Sequence, residues 1–335
     1  MLRKLLRRFR QTSKHVYRRL VGGGVILMYH RISEPNNDPF HLSVSPQHFR
    51  EHLELMRRDR LPMPLCEMVR AARENRLPRN AVAVTFDDGY VDNLVSASPL
   101  LAEYDVPATV FIATGQAGKT RGFWWDELER IVLHTQTLPK LLRLAAGEHA
   151  RQWNLPDNID DIASSSSAGG DSRRRTPRLA LFWDLYDFLI ELPESRRLVA
   201  QDQLLTWAGL TADIPTANRA LSLDQLMHLG KADAIDIGAH SVSHPLLSHL
   251  PAKKQYDEMH GSKAWLEDVI GRPVSSFAYP YGDFNDASLI AARDAGFKRA
   301  CTCIPDHLDA ATDVYRLPRI EIQDGDGDHF GKSFY

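Results

Sequence analysis

The chain has 335 residues, of which 43% are hydrophobic and 25% are charged. This composition is typical of a globular protein with a large core, and it excludes a disordered chain, a collagen-like fibre and a small disulfide scaffold. The three cysteines are too few for a disulfide framework and are compatible with a reducing compartment. Because no run of about 18 apolar residues occurs, we expect no membrane-spanning helix.

The net charge of −2 hides an asymmetry between the first twenty residues and the rest. Residues 1–20 carry eight Lys and Arg and no acidic residue, so the remaining chain has 33 basic against 43 acidic residues. The excess of acidic residues after residue 20 argues against a nucleic-acid groove, and we expect no nucleic-acid partner. Apolar residues in 1–20 fall close to a helical stripe, which predicts a basic amphipathic tail.

Two interpretations of this tail stay open. It is either a solvated terminus or an interfacial helix that rests on an anionic membrane. Arg and Lys interrupt its apolar residues, so it fits a secretory signal poorly. We therefore expect a cytoplasmic protein with a peripheral contact to the inner membrane through residues 1–20.

Short apolar runs and helical patterns alternate along most of the chain. The runs predict buried strands at residues 25–30, 81–86, 106–112, 235–240 and 275–279, with further strands near 299–302 and 315–322. Helical spacing and capping residues predict helices from 46, at 65–72, at 94–101, from 124, from 223, at 253–270 and at 286–296. Strands that alternate with helices are the pattern of a parallel α/β sheet or barrel.

The stretch from about 137 to 220 breaks this alternation. Residues 164–170 are a low-complexity run of Ser, Ala and Gly, and three arginines follow at 173–175. The apolar spacing around 182–192 and 198–205 is helical. We therefore predict a helical insertion within one domain that spans residues 21–335. The insertion is either a surface elaboration or a lid or docking platform.

Polar clusters lie at or directly after the ends of four of the predicted strands: His30, Asp87-Asp88-Gly89, His240 with His244, and Tyr279-Pro280-Tyr281-Gly282. Strand ends of a parallel barrel point to one face, where active sites lie, so we expect the clusters to meet there. Each cluster alone has an ordinary structural interpretation, such as a tight turn or a packed histidine. Together, two histidines and one carboxylate can form a metal site with open coordination, and a second carboxylate can act as base on the bound water.

Three motifs, in this order, resemble the polysaccharide deacetylases of carbohydrate esterase family 4, the NodB homology domain. They are Thr85-Phe86-Asp87-Asp88-Gly89, His240-Ser241-Val242-Ser243-His244-Pro245 and Tyr279-Pro280-Tyr281-Gly282. The resemblance covers residues 24–322 apart from the insertion. It implies a distorted (β/α) barrel of about seven strands. It also implies a metal-dependent hydrolase, acting on carbon–nitrogen bonds, that removes N-acetyl groups from a glycan.

The resemblance implies a role for each matching residue. Asp88, His240 and His244 take the place of the metal ligands, and Asp87 that of the general base toward a water activated by the metal. The backbone N–H of Tyr281 takes the place of the oxyanion donor. Zinc is the expected metal for this ligand set, which also accepts cobalt, nickel or iron. The expected partner is an acetylated glycan or amino-sugar substrate from the cell envelope or an exopolysaccharide, or its precursor.

The chain departs from the family pattern at two places. Ala278 stands where an arginine normally orients the base, and we predict that Arg319 reaches in from a late strand instead. The C-terminal Leu-x-His motif that normally holds the general acid is absent. Met28-Tyr29-His30 instead resembles the N-terminal arrangement of poly-N-acetylglucosamine deacetylases, which makes His30 the candidate acid. The alternative is a histidine that merely packs at a strand end.

Two alternatives to an N-deacetylase stay open. An O-acetyl esterase would use the same residues on a glycan, whereas a catalytically inactive carbohydrate-binding protein would keep the groove without the reaction. The intact Asp87, Asp88, His240 and His244 argue against the inactive protein. The missing arginine of the third motif argues for it.

Overall fold

The computed structural model describes residues 23–34, 37–160, 174–212 and 218–332. The basic tail predicted at 1–20 and the low-complexity run at 164–170 lie outside these residues. The described residues form two compact units. The first unit contains residues 23–34, 41–117 and 221–332, and the second contains residues 37–40, 118–160, 174–212 and 218–220.

The elements are numbered here in chain order. The strands are β1 (Val25–Tyr29), β2 (Arg31–Ile32), β3 (Ser43–Val44), β4 (Leu61–Pro62), β5 (Ala81–Phe86), β6 (Ala108–Ile112), β7 (Leu141–Ala146), β8 (His149–Asn154), β9 (Ile235–Ala239), β10 (Ser276–Ala278), β11 (Arg299–Cys301) and β12 (Ile320–Glu321). The α-helices are α1 (Pro46–Asp59), α2 (Leu65–Arg73), α3 (Ser98–Glu103), α4 (Trp124–Leu133), α5 (Pro177–Ile190), α6 (Glu194–Ala208), α7 (Leu223–Leu229), α8 (Ala252–Ile270), α9 (Asp286–Asp294) and α10 (Gly327–Lys332). Short helical turns cover Asn93–Ala97, Leu247–His249 and Pro280–Gly282. None of the helices in the described ranges combines the length and the apolar character that crossing a bilayer requires.

Seven parallel strands of the first unit follow one another in the order β11–β10–β9–β6–β5–β1–β12, and β4 pairs with β5 beside this row. The segment that ends in β12 joins both ends of the row. Leu317 forms a parallel bridge with Cys301 of β11, whereas Ile320 pairs with Leu27 of β1. The sheet is therefore curled into the distorted barrel of about seven strands that we expected, which confirms the predicted fold class.

The last predicted strand, at 315–322, is shorter in the structure than its apolar pattern indicates. Only Ile320–Glu321 form β12. Pro318 has no N–H to donate to a ladder, and the N–H of Arg319 donates to the carbonyl of Ile304 at 3.1 Å instead. This interruption separates the pairing with β11 from the pairing with β1, and Arg319 lies between the two.

Burial and register explain why the strand ends of β1 and β5 are neighbours. Both strands are buried along their whole length, as expected for a parallel sheet covered on both faces. Five residue pairs fix their register, from Val25 with Val82 to Tyr29 with Phe86. The next residue on each strand, His30 and Asp87, therefore leaves the sheet side by side.

The second unit differs from the helical insertion expected at 137–220. Residues 141–154 form the antiparallel hairpin β7–β8, which turns at Gly147 with a φ of +67°. Every second residue of β7 is buried, which is the period of a strand covered on one face rather than of a helix. Besides residues 37–40, the unit contains a long segment that begins at residue 118, earlier than predicted, and includes α4. The helices α5 and α6 agree with the predicted spacing.

Candidate metal and catalytic site

The polar clusters predicted from the sequence meet at the carboxyl ends of the parallel strands in the first unit. Oδ1 of Asp88, after β5, lies 3.6 Å from Nε2 of His240, after β9, and 3.3 Å from Nε2 of His244. The ring of Tyr281, after β10, packs edge-on against the ring of His244 with 4.5 Å between their centroids. Residues that are up to 193 positions apart in the chain thus share one site.

Asp88, His240 and His244 bring three potential ligand atoms within 4.8 Å of one another, and all three residues are buried. Nδ1–H of His240 donates to the carbonyl of Ala278 at 2.8 Å, which directs the Nε2 lone pair toward Asp88. Burial lowers the pKa of His240 to about 4, so its imidazole is neutral at pH 7.

The spacing of these three atoms fits a bound metal ion. The two Nε2 atoms are 3.1 Å apart, and the other two separations are 3.3 Å and 3.6 Å. Tetrahedral ligands about 2.1 Å from a zinc ion are about 3.4 Å from one another. The buried carboxylate and the imidazole lone pairs converge at these distances. All of them are acceptors, which a bound cation would satisfy. The three residues therefore fit the metal that the motifs imply.

Four non-glycine residues of this site have left-handed backbone conformations. They are Asp88 (φ +73°), Ser241 (φ +63°), His244 (φ +54°) and Tyr281 (φ +57°). This conformation costs an L-residue about 1–2 kcal/mol, so it persists only where the surrounding contacts enforce it. Strained residues concentrate at functional sites, and here they include two of the three potential ligands.

Asp87 lies beside this group and is bound by Arg319. Both of its carboxylate oxygens accept hydrogen bonds from Arg319, each at 2.7 Å. Nε of the buried Arg319 donates to the carbonyl of Thr302 at 2.9 Å, and Nη1 also donates to Oγ1 of Thr85 at 3.2 Å. Burial by itself raises the pKa of Asp87, but the charges of Arg319 and His240 and the hydrogen bonds from Arg319 lower it below the ordinary 3.8. Asp87 is therefore an ionised carboxylate with a fixed orientation.

His30 is half-buried at the end of β1, next to the carboxylates. It lies close enough to Asp87 and Asp88 that its charge would lower the pKa of both. Its carbonyl accepts a hydrogen bond from Nδ2 of Asn93 at 2.8 Å, which ties the strand end to the turn that follows the Asp-Asp-Gly motif. The structure therefore brings His30 beside the two carboxylates, and its role as the acid stays a prediction.

A sequence model described as polysaccharide deacetylase matches residues 74–154 and 210–300, just over half of the chain. The chain belongs to the polysaccharide deacetylase family. Polysaccharide deacetylases are hydrolases that act on carbon–nitrogen bonds other than peptide bonds. The matched ranges contain Asp87, Asp88, His240, His244 and Tyr281, whereas His30 and Arg319 lie outside them.

Other polysaccharide deacetylases resemble this chain over part or most of its length. YxkH of Bacillus subtilis, named for the same family, is 19% identical over 309 residues, which are 91% of this chain and 74% of YxkH. The poly-beta-1,6-N-acetyl-D-glucosamine N-deacetylase of Staphylococcus epidermidis is 29% identical over 107 residues, which are 28% of this chain and 37% of that protein. The Streptococcus pyogenes deacetylase PplD, solved with acetate, superposes with a TM-score of 0.57 at 21% identity, over 93% of this chain and 98% of PplD. This superposition supports the fold.

The departure from the deacetylase motif at Ala278 has a structural explanation. Ala278 is buried at the end of β10, and its carbonyl accepts the hydrogen bond from His240. The guanidinium that binds Asp87 comes instead from Arg319, in the segment that closes the barrel. The structure therefore places the guanidinium of Arg319, the residue directly before β12, against Asp87. Its role in orienting the base stays a prediction.

Tyr281 lies in the turn Pro280–Gly282 of this deacetylase, beside the ligand group. Gly282 follows it with a φ of +67°, and a Cβ atom at Gly282 would approach Cβ of Cys303 to 2.7 Å. The close packing against Cys303 holds the backbone of Tyr281 next to His244. The role of its N–H as an oxyanion donor stays a prediction.

A buried ion pair beside His30 was missed by the sequence analysis. Nε of Arg31 donates to Asp92 at 3.0 Å, and Asp92 also accepts the N–H of Ile32 at 3.1 Å. Burial raises the pKa of Asp92, and Arg31 opposes this effect. The pair fixes the backbone after His30, as Asn93 fixes its carbonyl. A charged residue directly after an apolar strand, at Arg31, was the signal that could have indicated it.

Proposed function

We propose that the protein is a metal-dependent N-deacetylase that acts on an acetylated glycan of the cell envelope, on an exopolysaccharide or on a precursor of either. The observation that carries this proposal is the convergence of Asp88, His240 and His244 within 4.8 Å, beside the ionised Asp87. The name of the S. epidermidis relative supports an N-acetylglucosamine polymer as the substrate class. The arrangement of His30 at the first strand supports the same class.

Asp88, His240 and His244 would hold the metal, and two imidazoles with one carboxylate favour zinc, with cobalt, nickel or iron as alternatives. When bound, the metal would polarise the acetyl carbonyl and lower the pKa of a water. The hydrogen bond from Nδ1–H of His240 to the carbonyl of Ala278 supports this assignment because it selects the tautomer that a ligand needs.

The remaining steps fall to the side chains around the ligands. Asp87 accepts the proton of the attacking water, and Arg319 keeps its carboxylate ionised and oriented. The N–H of Tyr281 donates to the oxygen of the acetyl group as negative charge develops on it. His30 donates a proton to the sugar nitrogen as the bond to the acetyl carbon breaks, which releases acetate and a free amine.

Elemental analysis of the purified protein tests the metal site without a known substrate. We expect about one divalent ion per chain in the wild type and in His228→Ala, an exposed histidine on α7, and much less in His244→Ala. A wild type that holds no metal after addition of zinc, cobalt or nickel would overturn the metal-dependent function.

A substrate screen then tests the reaction. We expect release of acetate from β-linked N-acetylglucosamine oligomers, with little release from an O-acetylated glycan. A preference for the O-acetylated glycan would replace the N-deacetylase by an esterase. Binding of both glycans without acetate release, by protein that holds its metal, would identify a carbohydrate-binding protein instead.

A further inference from the structure

A carboxylate outside the proposed catalytic group contacts the loop that carries His244. Glu258 lies on α8 and is half-buried. Its Oε2 accepts the N–H of Val242 at 2.9 Å and that of Ser243 at 2.8 Å. Its Oε1 accepts the hydroxyl of Ser243 at 2.8 Å. Consecutive backbone N–H groups that converge on one anion form a nest, here filled by a side chain of the protein itself.

The loop is held from its other side by the segment that follows β6. The N–H of Thr114 donates to the carbonyl of Ser241 at 3.1 Å, and the N–H of Gly115 donates to that of Val242 at 2.8 Å. A Cβ atom at Gly115 would approach the carbonyl oxygen of Val242 to 2.5 Å, so only glycine allows this contact. The carbonyls of the loop thus face β6, and its amides face Glu258.

This double attachment coincides with the strain in the loop. Ser241 and His244 both have positive φ values, and Oγ of Ser241 accepts the N–H of His244 at 3.1 Å. A free chain avoids this conformation, so external contacts have to maintain it. Hydrogen bonds to an ionised carboxylate are stronger than those between neutral groups. Glu258 accepts three hydrogen bonds from Val242 and Ser243, the two residues between the strained positions.

We propose that Glu258 is a positioning residue for the metal site. It holds residues 241–244 in the conformation that brings Nε2 of His244 to 3.3 Å from Asp88 and 3.1 Å from His240. This inference rests on the proposed metal site. If the loop is already ordered in the metal-free protein, metal binding does not have to meet the entropic cost of ordering it. The preformed site therefore binds the metal more tightly.

Zinc affinity of the metal-free proteins tests the proposal, measured by competition with a chromophoric chelator. Glu258→Ala is expected to weaken zinc binding by about 10–100-fold, as loss of an outer-sphere partner does. Glu258→Gln keeps one acceptor oxygen and should lie between Glu258→Ala and the wild type. Ser243→Ala removes only the contact to Oε1 and should weaken zinc binding by a few-fold. It also serves as the second variant if Glu258→Ala folds poorly.

Glu267 provides a matched control on the same helix. It is also half-buried, and its carboxylate accepts the N–H of Val274 at 2.9 Å and binds Lys263, near the far end of α8. Glu267→Ala removes a helix-to-backbone contact of the same kind but should change zinc affinity by less than about twofold. Thermal unfolding of both metal-free variants separates a loss of stability from a loss of metal affinity.

Hydrogen exchange gives a second readout that needs no metal. The amides of Val242 and Ser243 should be protected in the metal-free wild type and in Glu267→Ala, and exposed in Glu258→Ala. A Glu258→Ala protein that melts earlier but binds zinc like the wild type would overturn the positioning role and leave the metal site intact. A wild type that binds no zinc would overturn the proposed function itself, and this inference with it.

Discussion

Arg319 and Asp87 form a two-point ion pair at the place where the barrel closes. Nη1 and Nη2 of Arg319 each donate to one carboxylate oxygen of Asp87 at 2.7 Å, and the two side chains are 0% and 3% exposed. A guanidinium that binds both oxygens at once fixes the plane of the carboxylate as well as its charge. The ion pair therefore contributes to the stability of the fold and to the proposed catalysis.

Loss of Arg319 alone would leave Asp87 buried without its partner. We expect Arg319→Met to lower the free energy of unfolding by about 3–5 kcal/mol at pH 7. The double variant Arg319→Met with Asp87→Asn should lose clearly less, because no unpaired charge remains. Urea unfolding of the wild type, both single variants and the double variant gives the coupling energy. Strictly additive effects would show that the two side chains do not depend on each other.

Asp87→Asn separates the proposed base from the proposed metal ligands. Asparagine has the same shape but cannot take up a proton, so kcat on an N-acetylglucosamine oligomer should fall about 10²–10⁴-fold. Bound metal should stay near one ion per chain, because Asp88, His240 and His244 are unchanged. Acetate release and elemental analysis on the same preparation measure both quantities. Near wild-type turnover would exclude Asp87 as the base.

His30→Gln tests the proposed acid. Without a proton donor for the sugar nitrogen, kcat should fall about 100-fold, and the alkaline limb of the pH–rate profile should flatten. His228→Gln, at an exposed position of α7, should leave the profile unchanged. An alkaline limb that persists in His30→Gln would assign the acid to another group and return His30 to a packed strand-end histidine.

His52 predicts a specific dependence of stability on pH. Its ring stacks on Phe330 at 4.0 Å, Tyr29 Oη donates to its Nδ1 at 3.2 Å, and its Nε2 donates to the carbonyl of Gly325 at 2.8 Å. Burial lowers its pKa to about 4 from the ordinary 6.5. Between these values the unfolded chain binds a proton that the folded protein does not. The free energy of unfolding should therefore fall as the pH decreases through this window, by at most about 3 kcal/mol.

Urea unfolding at pH 7.5, 5.5 and 4.5 measures this effect. The difference between the wild type and His52→Gln should shrink as the pH decreases, since the variant has no such proton to bind. His48, on the same helix, provides the opposite sign: its hydrogen bond to Asp324 raises its pKa, so its contribution is present below about 6.5 and lost as the pH rises. Parallel pH profiles for wild type and His52→Gln would contradict the assignment.

The basic tail predicts an electrostatic contact with membranes. Eight Lys and Arg without an acidic residue should bind residues 1–20 to anionic vesicles, with weaker binding as salt is added. Deletion of residues 1–20 should abolish co-sedimentation with anionic vesicles while the content of bound metal stays unchanged. Neutral vesicles serve as the control. Equal sedimentation of the full chain and the deletion variant would argue against the tail as a membrane contact.

Much of the site could be predicted from the sequence because it depends on local patterns. Short apolar runs identified the parallel strands, and the residues directly after them had to emerge at one edge of the sheet. Asp88, His240 and His244 could therefore be grouped without knowledge of the path between them. The capping box of Ser222 with Gln225 at the start of α7 likewise follows from a local spacing, and the structure contains it.

Other features were decided only by the tertiary structure. Arg319 and Asp87 are 232 residues apart, and their contact depends on the segment at 317–321, which joins β11 to β1. Buried and exposed residues alternate along β7 of the hairpin, and this alternation arises only because one face of that strand is covered in the folded protein. Glu258 is one of several acidic residues on an amphipathic helix, and nothing local distinguishes it from Glu267. The sequence by itself determined which groups could do the chemistry, because ligand and strand patterns are local, whereas the barrel closure and helix packing determined which charges hold them in place.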